Sequence, residues 1–141
     1  MSEHIKELWK ELSKVLESKS EALYKLVSDF IVDVNTENIN YIIKNNKLVF
    51  LFFTADWCGP CVSYLQTFRE VASLHILPNV FYGKVNVDSS YTIADKYKVR
   101  HIPSIMILIN GDAIDSIVGQ TDKSKLESKI VSYINAVKSQ L

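Results

Sequence analysis

The sequence predicts an α/β fold: a central mixed β-sheet with helices on both faces, preceded by a helical extension. Three observations carry this expectation. From residue 28 onward, apolar runs of strand length alternate with stripes of helical period, the pattern of parallel strands joined by crossover helices. The last two strand-like runs, 104–109 and 113–118, flank Asn110-Gly111, a strong signal for a tight hairpin, so one side of the sheet should turn antiparallel. Before residue 28 the periodicity is helical only.

The elements follow in order. Ile5, Leu8, Trp9, Leu12, Val15 and Leu16 recur at steps of three and four, one face of a helix. Ser18 to Glu21 (SKSE) interrupts that stripe and resembles a capping box, and Leu23, Leu26, Val27 and Phe30 resume an apolar face; the extension is one long helix or two short ones. Residues 30–34 (FIVDV) read as a short strand, and Asn35-Thr36 as the cap of a helix over 37–45. The unbroken β-prone run 48–54 (LVFLFFT) predicts a central strand buried on both faces. A helix should follow Gly59-Pro60 with Leu65, Phe68, Val71, Ala72 and Leu74 inward, then a strand over 80–87 and a short helix over 93–97. Asp122 should cap a last helix that buries Leu126, Ile130, Ile134 and Val137. The division expected is 1–27 for the extension and 28–141 for the sheet domain.

Bulk properties exclude several functions. At 141 residues the chain suits one domain with one core. Sixteen basic and sixteen acidic residues give a formal net charge of zero, which argues against nucleic acid or an anionic membrane as the main partner. No apolar run reaches the ~18 residues of a spanning helix, and MSEHIKELWKELSK does not read as a secretory signal. Two cysteines are too few for a disulfide-stapled secreted scaffold, so the cytoplasm is the expected compartment.

Those cysteines carry the chemistry. Cys58 and Cys61 bracket Gly59-Pro60 directly after the central strand. Proline is tolerated in a first helical turn, where its missing N–H would have no partner. Helical neighbours three apart have Cβ atoms ~5–6 Å apart, and a disulfide needs ~3.8 Å. A small adjustment of the turn therefore makes or breaks the bond, and such a pair can cycle. Unpaired N–H groups and positive potential at a helix start favour thiolate over thiol at Cys58, the expected nucleophile; Cys61, one turn deeper, is the expected resolving thiol. Two plainer readings compete. Half of a zinc site would need a second ligand pair, whereas His4, His75 and His101 are scattered, so no metal is expected. A structural disulfide across two intervening residues would constrain the unfolded chain little.

ADWCGPC resembles the active site of the thioredoxin family, and the likeness runs from about Ser28 to Leu141. Trp57 stands where that family has a tryptophan beside the disulfide, KVNVD (84–88) resembles its strand before a short helix, RHIPS (100–104) its cis-proline segment, and Gly119 its glycine after the last strand. The resemblance implies a thioredoxin fold and a dithiol–disulfide oxidoreductase that reduces protein disulfides. It implies Cys58 and Cys61 as the catalytic pair, supported by Trp57, Gly59, Pro60, Lys84 and Pro103. It implies a docking surface of Trp57, His101, Ile102, Pro103, Val118 and Gly119 for disulfide-containing client proteins. No bound cofactor is implied; electrons would come from a thioredoxin-reductase-like flavoprotein. A thiol oxidase or isomerase is the alternative direction, and a binding module whose extension mediates assembly is the alternative class.

Three positions depart from the family pattern. Phe52 replaces a buried Asp that helps take the proton from the deeper thiol and stands in pair with the lysine at 84. Gln66 replaces a helix-kinking proline. His101 occupies a position that is often small, and should sit on the rim. The extension's stripe has to be covered by the chain's own domain, by self-association or by a partner protein.

Overall fold

The computed structural model describes residues 3–14 and 31–141, and the chain divides into two units, 1–30 and 31–141. In the first, residues 3–14 form helix α1, on which Ile5, Leu8, Trp9 and Leu12 are exposed. The interruption at Ser18–Glu21, the apolar positions between Val15 and Phe30, and the boundary expected at 27/28 lie outside the described residues.

In the second unit the elements are β1 (Val32–Asp33), α2 (Ile39–Asn45), β2 (Leu48–Thr54), α3 (Gly59–Ser73), β3 (Val80–Asn86), α4 (Tyr91–Lys96), β4 (Ser104–Ile109), β5 (Asp112–Val118) and α5 (Lys123–Val137), ending in a short 3₁₀ turn. They build one five-stranded sheet in the order β1-β3-β2-β4-β5. The first three pair in parallel, and β4 and β5 run antiparallel, as the Asn110-Gly111 hairpin requires. Both turn residues have positive φ, 52° and 82°, the geometry of a two-residue turn that follows the strand twist.

Strand β2 is central and its first six residues are buried. Its side chains alternate. Val49, Leu51 and Phe53 join Ile39 and Ile42 of α2, Ile93 and Ala94 of α4, and Met106 and Leu108 of β4 in one apolar layer. On the other face Phe50 stacks on Tyr82, with ring centroids 5.3 Å apart, and Phe52 meets Tyr64 and Phe68 of α3. Leu126, Ile130, Ile134 and Val137 of α5 are buried as expected, and Asp122 caps that helix by accepting from the Lys125 N–H at 2.8 Å.

Several details differ from expectation. Of the strand expected over 30–34, the described residues pair with β3 at Val32 and Asp33, and the Val34 N–H donates to the Lys84 carbonyl before Asn35 turns the chain. Its carboxamide accepts from the backbone N–H groups of Glu37 and Asn38, and that side-chain turn delays α2 to Ile39. On α3 the buried stripe is Cys61, Tyr64, Phe68, Val71 and Ala72. Leu65 is half-buried and Leu74 exposed, since the stripe follows Cys61 in steps of three and four and Leu74 falls past the helix end.

Candidate functional site

Register brings distant segments to one end of the sheet. Phe53 of β2 faces Ser104 of β4, and Ser104 faces Val118 of β5. The turn after β2, the loop before β4 and the loop after β5 therefore share an edge, although residues 58, 103 and 119 are far apart in sequence. The Ile102–Pro103 peptide bond is cis. The Gly119 N–H donates to the Pro103 carbonyl at 2.9 Å, which joins two of these loops. Gly119 has φ +79°, a conformation that disfavours other residues, and a side chain there would project into open space.

Cys58 is the N-cap of α3 and Pro60 lies in its first turn. The two cysteines are joined as a disulfide with Cα atoms 5.3 Å apart. The Cys58 Sγ also accepts from the Cys61 backbone N–H at 3.3 Å, so one of the orphan donors at the helix start points at the sulfur. Cys58 is 5% exposed and Cys61 wholly buried. The order of depth matches expectation, with Cys58 more covered than a rim position would be.

The remaining expected residues divide. Trp57 is 70% exposed, and its indole N–H donates to Asp88 Oδ2 at 2.9 Å. Val118 is 60% exposed, and Gly59, Pro60 and His101 are exposed; with Trp57 they offer apolar and backbone surface at the sheet end. Ile102 is half-buried against the layer of α2 and α4, so much of its side chain serves the core. Lys84 pairs across the sheet with Phe52, further from the loop end. With no carboxylate at 52, its ammonium turns to Asp33 at 3.5 Å, an ion pair whose acid is largely exposed. A cleft of about 670 Å³ between α3 and the β1–β3 edge, lined by Lys84, Asp33, Asp56 and Arg69 among others, opens beside it.

Sequence reasoning missed Gln120. Its carboxamide donates to the Pro60 carbonyl at 3.2 Å and reaches Ser63 Oγ at 3.3 Å, tying the loop after β5 to the first turn of α3. Asp88, the partner of Trp57, was seen only as the end of a strand motif. Both contacts span 31 residues or more, and no local pattern encodes them. Among the described residues no cluster of His, Cys, Asp and Glu could hold a metal ion.

Residues 30–132 match the thioredoxin family model. A thioredoxin from Pyropia yezoensis is 36% identical over 94 residues, covering 67% of this chain and 87% of the relative. One from Griffithsia pacifica is 33% identical over 103 residues, covering 73% and 94%. The solution structure of oxidised thioredoxin from Plasmodium falciparum superposes with a TM-score of 0.65 at 27% identity, covering 73% of this chain and 97% of that one. The chain belongs to the thioredoxin family and is a dithiol–disulfide oxidoreductase acting by thiol–disulfide exchange.

Proposed function

We propose that the chain reduces disulfides of client proteins, with Cys58 as nucleophile and Cys61 as resolving thiol. The observation that carries this reading is the Cys61 N–H directed at Cys58 Sγ at the start of α3. A hydrogen bond and the positive end of a helix both favour negative charge on that sulfur. In the reduced protein the Cys58 thiolate attacks one sulfur of the client disulfide. A Cys58–client bond forms, and the client's other sulfur leaves and takes up a proton. Cys61 then loses its proton and attacks Cys58 Sγ, which closes the Cys58–Cys61 bond and releases the second client thiol. The client gains two electrons and the chain loses two. A thioredoxin-reductase-like flavoprotein restores the dithiol.

Trp57, Gly59, Pro60, Val118 and Gly119 form the docking surface for an extended client segment, Pro103 is buried beneath it against the expectation of an exposed position, and His101 lies on its rim. The Ile102 backbone supplies strand-like hydrogen bonding beside Pro103. Reduction requires a reducing poise, so the cytoplasm is the fitting compartment; among the described residues no helix is long and apolar enough to cross a membrane.

Two measurements test this reading. Iodoacetamide titration of the reduced protein should label Cys58 first, and Cys61→Ser should accumulate mixed disulfides with clients while Cys58→Ser accumulates few. Preferential labelling of Cys61 would reverse the roles. The reduction potential of the couple separates a reductase from an oxidase or isomerase, since a value above the poise of the compartment would drive exchange the other way.

A further inference from the structure

Helix α1 carries an apolar stripe whose flanks have opposite charge. Ile5, Leu8, Trp9 and Leu12 are exposed by 43%, 51%, 57% and 47%. At 3.6 residues per turn they cover one side of the helix, and the charged residues divide around it. Lys6 lies roughly 110° from the stripe's centre on one side, with Lys10 behind it; Glu11 lies roughly 110° away on the other, with Glu7 behind it. Glu3 and Lys14 complete the polar back, and Lys6 is within 3.6 Å of Glu3. Three acids and three bases leave residues 3–14 without net charge apart from His4. A helix that binds an anionic lipid surface has a basic polar face, and this one does not.

A surface that fits this stripe must be apolar in the middle, acidic opposite Lys6 and basic opposite Glu11, with Lys10 and Glu7 behind them adding to the sign of each flank. A second α1 is such a surface in one orientation. When two copies lie parallel about a two-fold axis running along the pair, each lysine flank faces the partner's glutamate flank on both sides. Lys6 then reaches toward Glu11 five residues further along, about 7.5 Å of helix rise, within reach of two long side chains. In the antiparallel arrangement lysines would face lysines and glutamates glutamates. Pairing along this stripe supplies burial that helix propensity alone does not.

We infer that α1 is a homodimerisation element: two copies of the chain associate through a parallel α1 pair with Ile5, Leu8, Trp9 and Leu12 at its seam. The inference is independent of the direction of the redox reaction. Association of two chains through such a seam makes the dimer's population depend on concentration.

The test is sedimentation equilibrium of the full chain under reducing conditions, across a concentration series. The expected result is a reversible rise in mass from 16.1 kDa toward twice that value. Leu8→Glu with Leu12→Glu should hold the chain at monomer mass. Lys6→Glu with Lys10→Glu should weaken association about tenfold, since facing attractions become repulsions. Glu7→Lys with Glu11→Lys should do the same, and an equimolar mixture of the two charge variants should regain wild-type affinity. Circular dichroism and thiol titration of each variant establish that the sheet domain is intact. A chain that stays monomeric throughout overturns the proposal. So does a dimer indifferent to both charge variants, which would be antiparallel or seated elsewhere. Co-sedimentation of a monomeric chain with neutral or anionic phospholipid vesicles would also overturn it, assigning the stripe to a lipid surface.

Discussion

Phe52 sits wholly buried on the α3-facing side of β2, its ring centroid 5.7 Å from that of Tyr64 and 5.4 Å from that of Phe68. Those two rings follow Cys61 along the buried side of α3, so an apolar plug occupies the layer behind the redox pair. Its neighbour Lys84 has taken Asp33 as acceptor at the sheet edge. Phe52→Asp should therefore lower stability by roughly 3–5 kcal/mol through lost packing, with a further cost for the buried carboxyl wherever Lys84 does not turn inward to it. A carboxylate placed there would also act as a base for Cys61, but far below the ~10²–10⁴-fold of a well-positioned one. A denaturant melt and stopped-flow release of a mixed disulfide on Cys58 measure the two effects. A stable variant with unchanged release would show that residue 52 has no influence on the deeper thiol. That Phe52 is core was legible in the run LVFLFFT; which rings it meets was not, because Tyr64 was not among the positions read as inward on that helix.

Helix α5 is fastened to strand β5 by a small polar cluster. The Tyr133 hydroxyl donates to Asp115 Oδ2, and Lys129 Nζ lies 3.0 Å from the same oxygen. The Tyr133 hydrogen bond, with Lys129 and the Ser116 N–H adding to it, holds the Asp115 carboxyl below its usual value of 3.8. The same bond, with burial second, pushes the Tyr133 hydroxyl up to about 12. A depressed acid stabilises the fold above its unfolded pKa, and that contribution disappears as pH falls through the lower folded value. A raised phenol stabilises the fold below 10.0, and that contribution disappears as pH climbs toward about 12. Tyr133→Phe should cost about 1 kcal/mol near neutrality, the low end for a bond to a charged group because Asp115 is partly exposed. The difference from wild type should shrink at both extremes of pH. Urea midpoints followed across pH check this; an unchanging difference would mean that the hydroxyl contributes by packing alone. Asp122 as the cap of α5 was readable from local sequence, whereas the Asp115–Tyr133 bond joins two elements and was not.

The unit from 31 to 141 holds the five-stranded sheet, helices on both of its faces and the cysteine pair. Removing residues 1–27 should therefore leave disulfide reduction at the wild-type rate, measured as reduction of a disulfide-bonded test protein. If α1 pairs two chains, the truncated form should also lose the rise in mass at high concentration while its melting profile stays near that of the full chain. Loss of reductase activity in a truncated chain that still folds would tie the extension to catalysis. The family likeness, beginning at residue 30, places the extension outside the shared fold. Nothing in the matched family pattern therefore accounts for its charge-sorted faces.

Motifs whose physics is local could be read along the chain. Cysteines three apart at a helix start, strand β2, the Asn110-Gly111 hairpin and the Asp122 cap each depend on neighbours within a few residues. The fold as a whole followed from their order and from the family resemblance. The three-dimensional structure was needed for whatever depends on register between strands. Pairing of Phe53 with Ser104 and of Ser104 with Val118 sets the redox turn, the Pro103 loop and Gly119 at one sheet end. Gln120 reaches the Pro60 carbonyl, Trp57 finds Asp88, and Lys84 turns to Asp33 only once those strands are aligned. Side-chain contacts across such distances follow from the packing of whole elements, which residue spacing along the chain does not encode.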